Sequence, residues 1–285
     1  IRVVKRNWVS DVVSLSDIAS EVFRQIRVLR CGVYDLAIDF RGDLRSIILM
    51  FFAGIPERWG RDGTGGHFLL TRSFSPLPTR HEVLENLDLV EGVRTDHQVE
   101  FPELSLRAQP RPSEMASDPP RNDKRILIHP GAGYPSKRWP AERFVALANK
   151  IRERAWVVPI FIGSQNERNI LDPYRDEIPK EAIDFTGQTS FAELFGLLQT
   201  ADLFIGNDSA PAHLAAMLGR KSVVIFSGTN DIQKWSPWST RCRILHHVVP
   251  CSPCEQKICP LERHFCMEEI SVNQVVQTIE EMLRD

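Results

Sequence analysis

The chain has 285 residues, of which 42% are hydrophobic and 25% are charged, with a formal net charge of −2. This length suffices for two domains of ordinary size, and the nearly balanced charge argues against a nucleic-acid-binding protein, which would normally carry a basic face. No apolar run is long enough to span a membrane, and the most apolar short run, residues 47–55, is expected to be a buried helix.

The first hundred residues alternate between apolar strands and amphipathic helices. The predicted elements are a strand over 11–15, a helix over 16–30, a strand over 34–40, a helix over 44–53, a glycine-rich loop over 58–66 and a helix over 81–90. Strands that alternate with helices indicate a parallel sheet. Residues 1–101 are therefore predicted to form an α/β domain.

A proline-rich stretch over 102–124 is predicted to be an extended linker, and a second α/β domain follows over 125–285. Its predicted elements are strands over 126–129, 157–162, 202–205 and 222–226, helices over 140–154, 167–176 and 190–200, a helix that ends at Gly219, and a helix over 271–283 capped by Ser271. A ligand cleft between two such domains is the default expectation.

The stretch around Gly206 is predicted to be a buried strand, a polar turn and a helix. Gly206 is expected to allow a sharp turn, Asp208 or Ser209 to cap the helix, and Pro211 to occupy its first turn. Ligands bind at such junctions in open α/β sheets, and a helix N-terminus favours an anion such as phosphate. Asp208 and His213 would then lie beside that phosphate. This stretch alone favours an ordinary capped helix with a solvated histidine, and the neighbouring motifs reverse that preference.

Two further polar turns follow predicted strands of the same domain. Gly131 and Gly133 allow close backbone approach to a ligand, and Lys137 and Arg138 supply positive charge for phosphates. The loop lacks the endings of a P-loop and of a dinucleotide fingerprint, so a plain turn with surface charges is an equally good interpretation. Glu167 either binds ribose hydroxyls or stabilises the start of its own helix. All three turns lie at carboxyl ends of strands and converge on one edge of the sheet.

The motifs that contain these residues resemble those of glycosyltransferase family nine, the heptosyltransferases that build the lipopolysaccharide inner core from ADP-heptose. The resemblance covers most of the chain, and the segments that carry it are 34–46, 129–140, 163–167, 206–216, 235–238 and 251–266. It implies a GT-B fold, in which two Rossmann-like α/β domains face an interdomain cleft. The implied reaction is heptose transfer with inversion, without a cofactor, onto a lipid-linked core acceptor. It also implies a cytoplasmic enzyme at the inner face of the inner membrane, in peripheral contact with it.

The resemblance assigns donor-binding roles around Asp208, which would hold sugar hydroxyls. Backbone N–H groups near Ser209 and Ala210 would bind the diphosphate, and His213 would lie beside that site. Pro211 removes one N–H donor that could have taken part.

In the preceding loops, the resemblance implies that Lys137 neutralises the departing diphosphate and that Glu167 binds ribose. Gly131, Ala132 and Gly133 would line the donor. Ala132 and Gly133 fall where some family members carry hydroxyl residues, so fewer side-chain contacts to phosphate are expected.

One departure from the family pattern concerns the catalytic base. Family members begin with a strand and a Gly-Asp turn whose Asp is expected to be the general base, and this sequence has no convincing equivalent. Asp11 is the nearest candidate, but it lies too close to the strand at Tyr34 and is interpreted as a strand-edge residue. The first βα units are therefore expected to be missing, and with them a base that typically contributes a factor of about 10²–10⁴. This chain is expected to bind donor and to transfer poorly.

Four of the six cysteines lie in one segment, residues 251–266, which we call the cysteine loop. They are Cys251, Cys254, Cys259 and Cys266. Four thiolates match the ligand count of a structural zinc or an iron–sulfur cluster, with His264 as a spare ligand. The spacing matches no standard zinc finger, so free thiols are an equally good interpretation, and disulfides are disfavoured in a cytosolic protein. A metal here would hold the loop together and take no part in transfer.

Two other functions stay open. A sugar-nucleotide epimerase or hydrolase of similar two-domain build would need a residue that handles water or a proton in the cleft, and none is identified. A non-catalytic module that binds a sugar nucleotide is compatible with the missing base.

Overall fold

The structure is a computed structural model that describes residues 15–63, 65–77, 79–91, 123–154 and 156–284. The chain divides into two compact units, residues 1–97 and 98–285. The predicted linker, 102–124, lies outside the described residues except for its last two, and Lys124 already belongs to a strand. The strand predicted over 11–15 meets the described residues only at its last position, where a helix begins.

The described part of the first unit contains three α-helices and three strands. They are α1 (Leu15–Cys31), β1 (Leu36–Asp39), α2 (Leu44–Phe52), β2 (Glu57–Arg61), β3 (Arg72–Phe74) and α3 (Glu82–Glu91). The strands form a parallel sheet in the order β1-β2-β3. Ile47 and Met50 of α2, with Ile55 after it, form a small core against which Ala37 of β1 packs.

The loop predicted over residues 58–66 is wrong in its first part, because residues 58–61 belong to β2. This strand pairs with both β1 and β3. The sequence of β2 does not indicate a strand, because Trp59 is the one large apolar side chain in β2 and the strand ends on a charged residue. Arg61 is buried through an ion pair with Glu82, whose carboxylate lies 2.8 Å from the guanidinium. A buried ion pair thus replaces the apolar pattern expected of a strand.

The described part of the second unit is a six-stranded sheet with helices on both faces. Its elements are β4 (Lys124–His129), α4 (Ala141–Arg152), β5 (Val157–Phe161), α5 (Gln165–Leu171), β6 (Ile183–Asp184), α6 (Phe191–Thr200), β7 (Leu203–Asn207), α7 (Ala210–Met217), β8 (Ser222–Phe226), α8 (Ile232–Trp235), β9 (Cys242–His246), α9 (Phe265–Glu268) and α10 (Val272–Arg284). All strand pairs are parallel, in the order β6-β5-β4-β7-β8-β9. This is the 3-2-1-4-5-6 order of doubly wound folds.

Two apolar clusters, one on each face of this sheet, form the core of the second unit. Ile126 and Ile128 of β4 belong to the cluster that contains Trp139 and Phe144, and Leu127 belongs to the other. Successive side chains of a strand point to opposite faces, so a strand covered on both faces is apolar at every position. This explains the unbroken apolar run of β4.

Several helix ends follow the sequence expectations. The Ser190 hydroxyl accepts the N–H of Glu193 at 3.3 Å at the start of α6, and the Ser271 hydroxyl accepts that of Gln274 at 3.3 Å before α10. After α7, Gly219 adopts a left-handed backbone with φ of +64°. In the ranges that the structure describes, no helix combines the length and the apolar character needed to cross a bilayer.

Gly206 has a different role from the sharp turn expected of it. It lies inside β7, where a Cβ atom would be 2.9 Å from the carbonyl oxygen of His129 in β4. A contact of that length is closer than a side chain tolerates, so glycine is needed for the close approach of the two strands. The chain turns after β7 instead.

We expect Gly219→Ala to destabilise the second unit by about 1 kcal/mol, because an L side chain in the left-handed conformation costs roughly 1–2 kcal/mol. No atom lies within 4 Å of a Cβ built at Gly219, so backbone strain is the whole effect. Urea unfolding measures it. Gly133→Ala is the matched control, because Gly133 lies in the same unit, its site is equally open and its φ is outside the left-handed region. Equal unfolding midpoints for the two variants would contradict this assignment.

Candidate functional site

The loops that follow β4, β5 and β7 share the carboxyl edge of the second sheet. β4 and β7 are neighbours, and the strand order reverses between them. In doubly wound sheets, ligands bind outside the carboxyl ends of the strands at such a reversal. The structure therefore brings the loop after His129 next to the loop after Asn207, with the loop after Phe161 one strand further along.

Lys137 and Asp208 form a partly buried ion pair at this point. The Lys137 Nζ lies 2.6 Å from Oδ2 of Asp208, and the side chains are 14% and 5% exposed. Asn230 donates to the same oxygen at 3.3 Å, and Nε2 of His213 lies 3.4 Å from Oδ1. Burial alone would raise the pKa of Asp208, but hydrogen bonds from His213 and Lys137, with the charge of Lys137, lower it below its ordinary value. Asp208 is therefore an ionised carboxylate among donors.

Helix α7 begins beside this pair, and Ser209 occupies its cap position. The Ser209 side chain makes no capping hydrogen bond. Its hydroxyl donates instead to the carbonyl of Asn207 at 3.1 Å and lies 3.3 Å from Nδ1 of His129. The expectation that Ser209 or Asp208 caps this helix is therefore wrong, because both side chains are held by other partners.

His129 is the last residue of β4 and is buried. Burial lowers the pKa of its imidazole to about 4, against the opposing effect of the Glu167 carboxylate. The ring is therefore neutral at neutral pH. From sequence we assign it no role, although a histidine at the end of an otherwise apolar strand is a signal that could have found it.

Glu167 lies at the start of α5, where it forms a capping box with Ser164. The N–H of Ser164 donates to Oε2 of Glu167 at 2.7 Å, and the Ser164 hydroxyl donates to the same oxygen. Burial would raise the pKa of Glu167, but these hydrogen bonds and the nearby His129 lower it. A Cβ at Gly131 would lie 2.4 Å from Cγ and Oε1 of Glu167. The structure thus shows the helix-stabilising role of Glu167, and its role at ribose stays a prediction.

Asn207 closes the loop that carries Lys137, although sequence reasoning gives it no role. It is fully buried. Its Nδ2 donates to the carbonyls of Pro130 at 2.9 Å and Gly131 at 3.2 Å, and its Oδ1 accepts the N–H of Trp139 at 2.9 Å. One side chain thus ties both ends of the loop. An amide at the end of a fully buried strand is the signal for such a role, since a buried polar group needs partners.

The remaining predicted residues of this loop differ in their surroundings. Ala132 is buried, and its carbonyl accepts Nε and Nη2 of Arg138 at 3.3 and 3.2 Å. Arg138, predicted to supply charge for phosphates, is therefore bound to its own loop. No atom lies within 4 Å of a Cβ built at Gly133, so packing does not require a glycine there.

The four thiols of the cysteine loop are free, and three of them share a pocket. Their exposure falls from Cys251, which is exposed, through Cys254 and Cys259 to Cys266, which is buried. All except Cys254 line a pocket of about 500 Å³ together with His264. Burial raises the pKa of Cys266, and the three neighbouring thiols add to this. Within the described ranges, no group of three or more His, Cys, Asp or Glu side chains is arranged as a metal site. The zinc or iron–sulfur cluster stays a prediction.

The candidate base, Asp11, lies outside the described residues. In the first unit, the buried carboxylate of Asp39 lies at the end of β1, where burial raises its pKa. It accepts the N–H groups of Arg41 at 3.2 Å and Asp43 at 2.7 Å. Asp39 therefore fixes the turn into α2.

Residues 22–264 match the family model for glycosyltransferase family 9 (heptosyltransferase). The chain is 28% identical over 263 residues to lipooligosaccharide heptosyltransferase 2 of Campylobacter jejuni. The alignment covers 89% of this chain and 76% of that protein.

Two solved structures of heptosyltransferases share the fold. Escherichia coli ADP-heptose lipopolysaccharide heptosyltransferase II superposes with a TM-score of 0.75 at 19% identity, over 94% of this chain and 82% of that one. E. coli heptosyltransferase WaaC with ADP gives a TM-score of 0.67 at 15% identity, over 94% and 79%. These matches confirm the predicted α/β fold of the GT-B type with parallel sheets.

We expect the buried His129 to make folding stability fall between pH 6.5 and about 4. Its pKa is about 4 in the folded protein and about 6.5 in the unfolded chain. The unfolded state therefore binds more protons in this window, and stability decreases as pH falls, by about 3 kcal/mol over the whole shift. His129→Gln cannot be protonated and should lose this part of the slope in urea unfolding at pH 7, 6 and 5.

His67→Gln serves as the control, because His67 is exposed. Burial also lowers the pKa of His264 and raises that of Asp39, so residual contributions of opposite sign remain in every variant. The carboxylates of Asp208 and Glu167 have lowered pKa values and contribute only at more acidic pH. A slope that His129→Gln leaves unchanged would show that His129 is not the titrating group.

Proposed function

We propose that this chain, which belongs to glycosyltransferase family 9 (heptosyltransferase), transfers heptose from ADP-heptose to the lipopolysaccharide inner core with inversion at the anomeric carbon. As a member of this family it is a glycosyltransferase. The proposed transfer from a sugar diphosphate is supported by the partly buried Lys137–Asp208 pair at the strand-order reversal. The Lys137 cation can bind the diphosphate, and the Asp208 carboxylate can accept hydrogen bonds from the sugar hydroxyls.

In the proposed reaction, Lys137 stabilises the leaving group. The oxygen of the acceptor hydroxyl attacks the anomeric carbon and forms the new glycosidic bond as the bond to the diphosphate breaks. The hydroxyl proton passes to solvent, and negative charge builds up on the phosphate oxygens. A preorganised cation stabilises this charge more in the transition state than in the bound donor. Backbone N–H groups at Ser209 and Ala210, at the positive end of α7, would act in the same sense.

Asp208 is proposed to hold the heptose by its hydroxyl groups. An ionised carboxylate offers about four acceptor positions, and the contacts described above come from Lys137, Asn230 and His213. A sugar hydroxyl can take a further position. Inversion then follows if the acceptor hydroxyl attacks from the side opposite the diphosphate.

The donor nucleotide and the acceptor are inferred from relatives. One of the E. coli heptosyltransferases was solved with ADP, which supports an adenine nucleotide here, with Glu167 as the proposed ribose partner. The proposed acceptor is lipid-linked, so we place the reaction at the cytoplasmic face of the inner membrane, with peripheral contact. No cofactor takes part in the proposed transfer.

Two substitutions should distinguish binding of the diphosphate from binding of the sugar. We expect Lys137→Ala to weaken ADP binding at least tenfold, because it removes the cation that faces the diphosphate. Asp208→Asn should weaken binding of ADP-heptose and spare ADP, because ADP has no heptose hydroxyls and the change releases Lys137 from its carboxylate. Isothermal titration with ADP, ADP-heptose and UDP-glucose measures this.

Lys150→Ala is the matched control, because Lys150 bonds Asn273 on the surface and lies outside the donor loops. Equal losses of ADP and ADP-heptose affinity in Asp208→Asn would contradict the role of Asp208. Tighter binding of UDP-glucose than of ADP-heptose would contradict the choice of donor.

We expect ADP release from ADP-heptose to require a lipopolysaccharide core acceptor and to yield a product of inverted anomeric configuration. Mass spectrometry and NMR of the product test both points. ADP release at the same rate without acceptor would indicate a hydrolase. Retained configuration would refute the inverting mechanism.

A further inference from the structure

We infer that Ser136 positions Lys137 by fastening its turn to the cysteine loop. The turn is a single 3₁₀ turn, Pro135–Lys137, which we call the lysine turn. The inference rests on the proposed role of Lys137 at the diphosphate. The cysteine loop would then support the donor site indirectly, by holding the turn that carries Lys137.

All three polar groups of Ser136 bind residues far along the chain. Its N–H donates to the carbonyl of Lys257 at 3.1 Å, and its hydroxyl donates to the carbonyl of Gln256 at 2.5 Å. Its own carbonyl accepts the Thr229 hydroxyl at 3.2 Å. Ser136 is 2% exposed, so water cannot replace these bonds at low cost. The lysine turn is therefore clamped against the cysteine loop and the segment after β8.

The cysteine loop is itself held on that segment. The N–H of Cys254 donates to the carbonyl of Gly228 at 2.9 Å, and the N–H of Glu255 donates to that of Thr229 at 2.9 Å. Near the other end of the loop, burial lowers the pKa of His264, and the backbone of Ser136 opposes this shift. Both parts of the loop thus converge on the lysine turn.

The loop that carries Lys137 needs such support in its middle. Asn207 ties its two ends, but Gly131 and Gly133 between them leave the backbone permissive. The ammonium of Lys137 lies 2.6 Å from Asp208 and must also reach a diphosphate. Displacements of about 1 Å can cost a large factor in rate. Ser136 acts by limiting this displacement and is a positioning residue that does not touch the donor.

A purely structural role of Ser136 is the alternative, and Ser222 provides the matched control. Ser222 is also fully buried, and its hydroxyl also donates to a backbone carbonyl, that of Arg220 at 3.0 Å. It lies at the first position of β8, so the length of a strand separates it from the carboxyl edge. Ser222→Ala removes a comparable hydrogen bond away from the lysine turn.

We expect Ser136→Ala to weaken ADP binding about five- to tenfold, in keeping with the loss of one hydrogen bond. AMP lacks the second phosphate, so its affinity should change less than twofold. Ser222→Ala should lower the unfolding temperature and leave both affinities unchanged. In a Lys137→Ala background, adding Ser136→Ala should lower the unfolding temperature without changing ADP affinity further. Ser136→Cys, with a weaker donor of similar size, should be intermediate and serves if Ser136→Ala does not fold.

A second measurement does not depend on any nucleotide. Amine acetylation followed by mass spectrometry reports the reactivity of Lys137, with Lys150 as the internal standard. We expect Ser136→Ala to raise the reactivity of Lys137 several-fold and Ser222→Ala to leave it unchanged. Unchanged reactivity, equal losses of ADP and AMP affinity, or additive effects with Lys137→Ala would each overturn the inference. A wild-type protein that binds no ADP would contradict the proposed donor, and the reactivity of Lys137 would still decide the positioning role.

Discussion

Asn207 makes three hydrogen bonds with one fully buried side chain, and they join the loop after β4 to the end of β7. Water cannot substitute for these bonds, so opening the loop would leave buried polar groups unpaired, at about 1–3 kcal/mol for each. The next residue in the chain is Asp208, which pairs with Lys137 in the middle of the same loop. The strand that fixes the shape of the loop therefore also supplies the charge that holds its lysine.

Burial and hydrogen-bonding partners together decide which charges the site presents. The imidazole of His129 is neutral because it is buried, and the guanidinium of Arg138 is turned onto the carbonyl of Ala132. Asp208 stays ionised because donors surround it. The positive charge that this loop offers to a phosphate thus comes from Lys137, and its position matters more than the number of basic residues in the sequence suggests.

Local patterns predicted the parts of the fold whose causes are local. Ser271 caps α10 because its partner Gln274 is three residues away, and the polar turns lie at strand ends as their sequences indicate. β2 escaped prediction because an ion pair at Arg61 replaces apolar alternation. Asn207 and Ser136 escaped because their partners are 77 and 120 residues distant. For Glu167 the sequence left two interpretations open, and the structure shows the capping one.

The strand order also bears on how the second unit folds. β4, β5 and β6 are neighbours in sequence and in the sheet, as are β7, β8 and β9. The pairing of β4 with β7, which we call the seam, instead joins residues that are far apart in the sequence, such as His129 and Gly206. Contacts between distant residues form slowly, because their loop-closure entropy comes first. We expect each half of the sheet to assemble first and the seam to close last. A ligand that contacts both halves across this seam would then slow unfolding, because it retards the separation of the two halves.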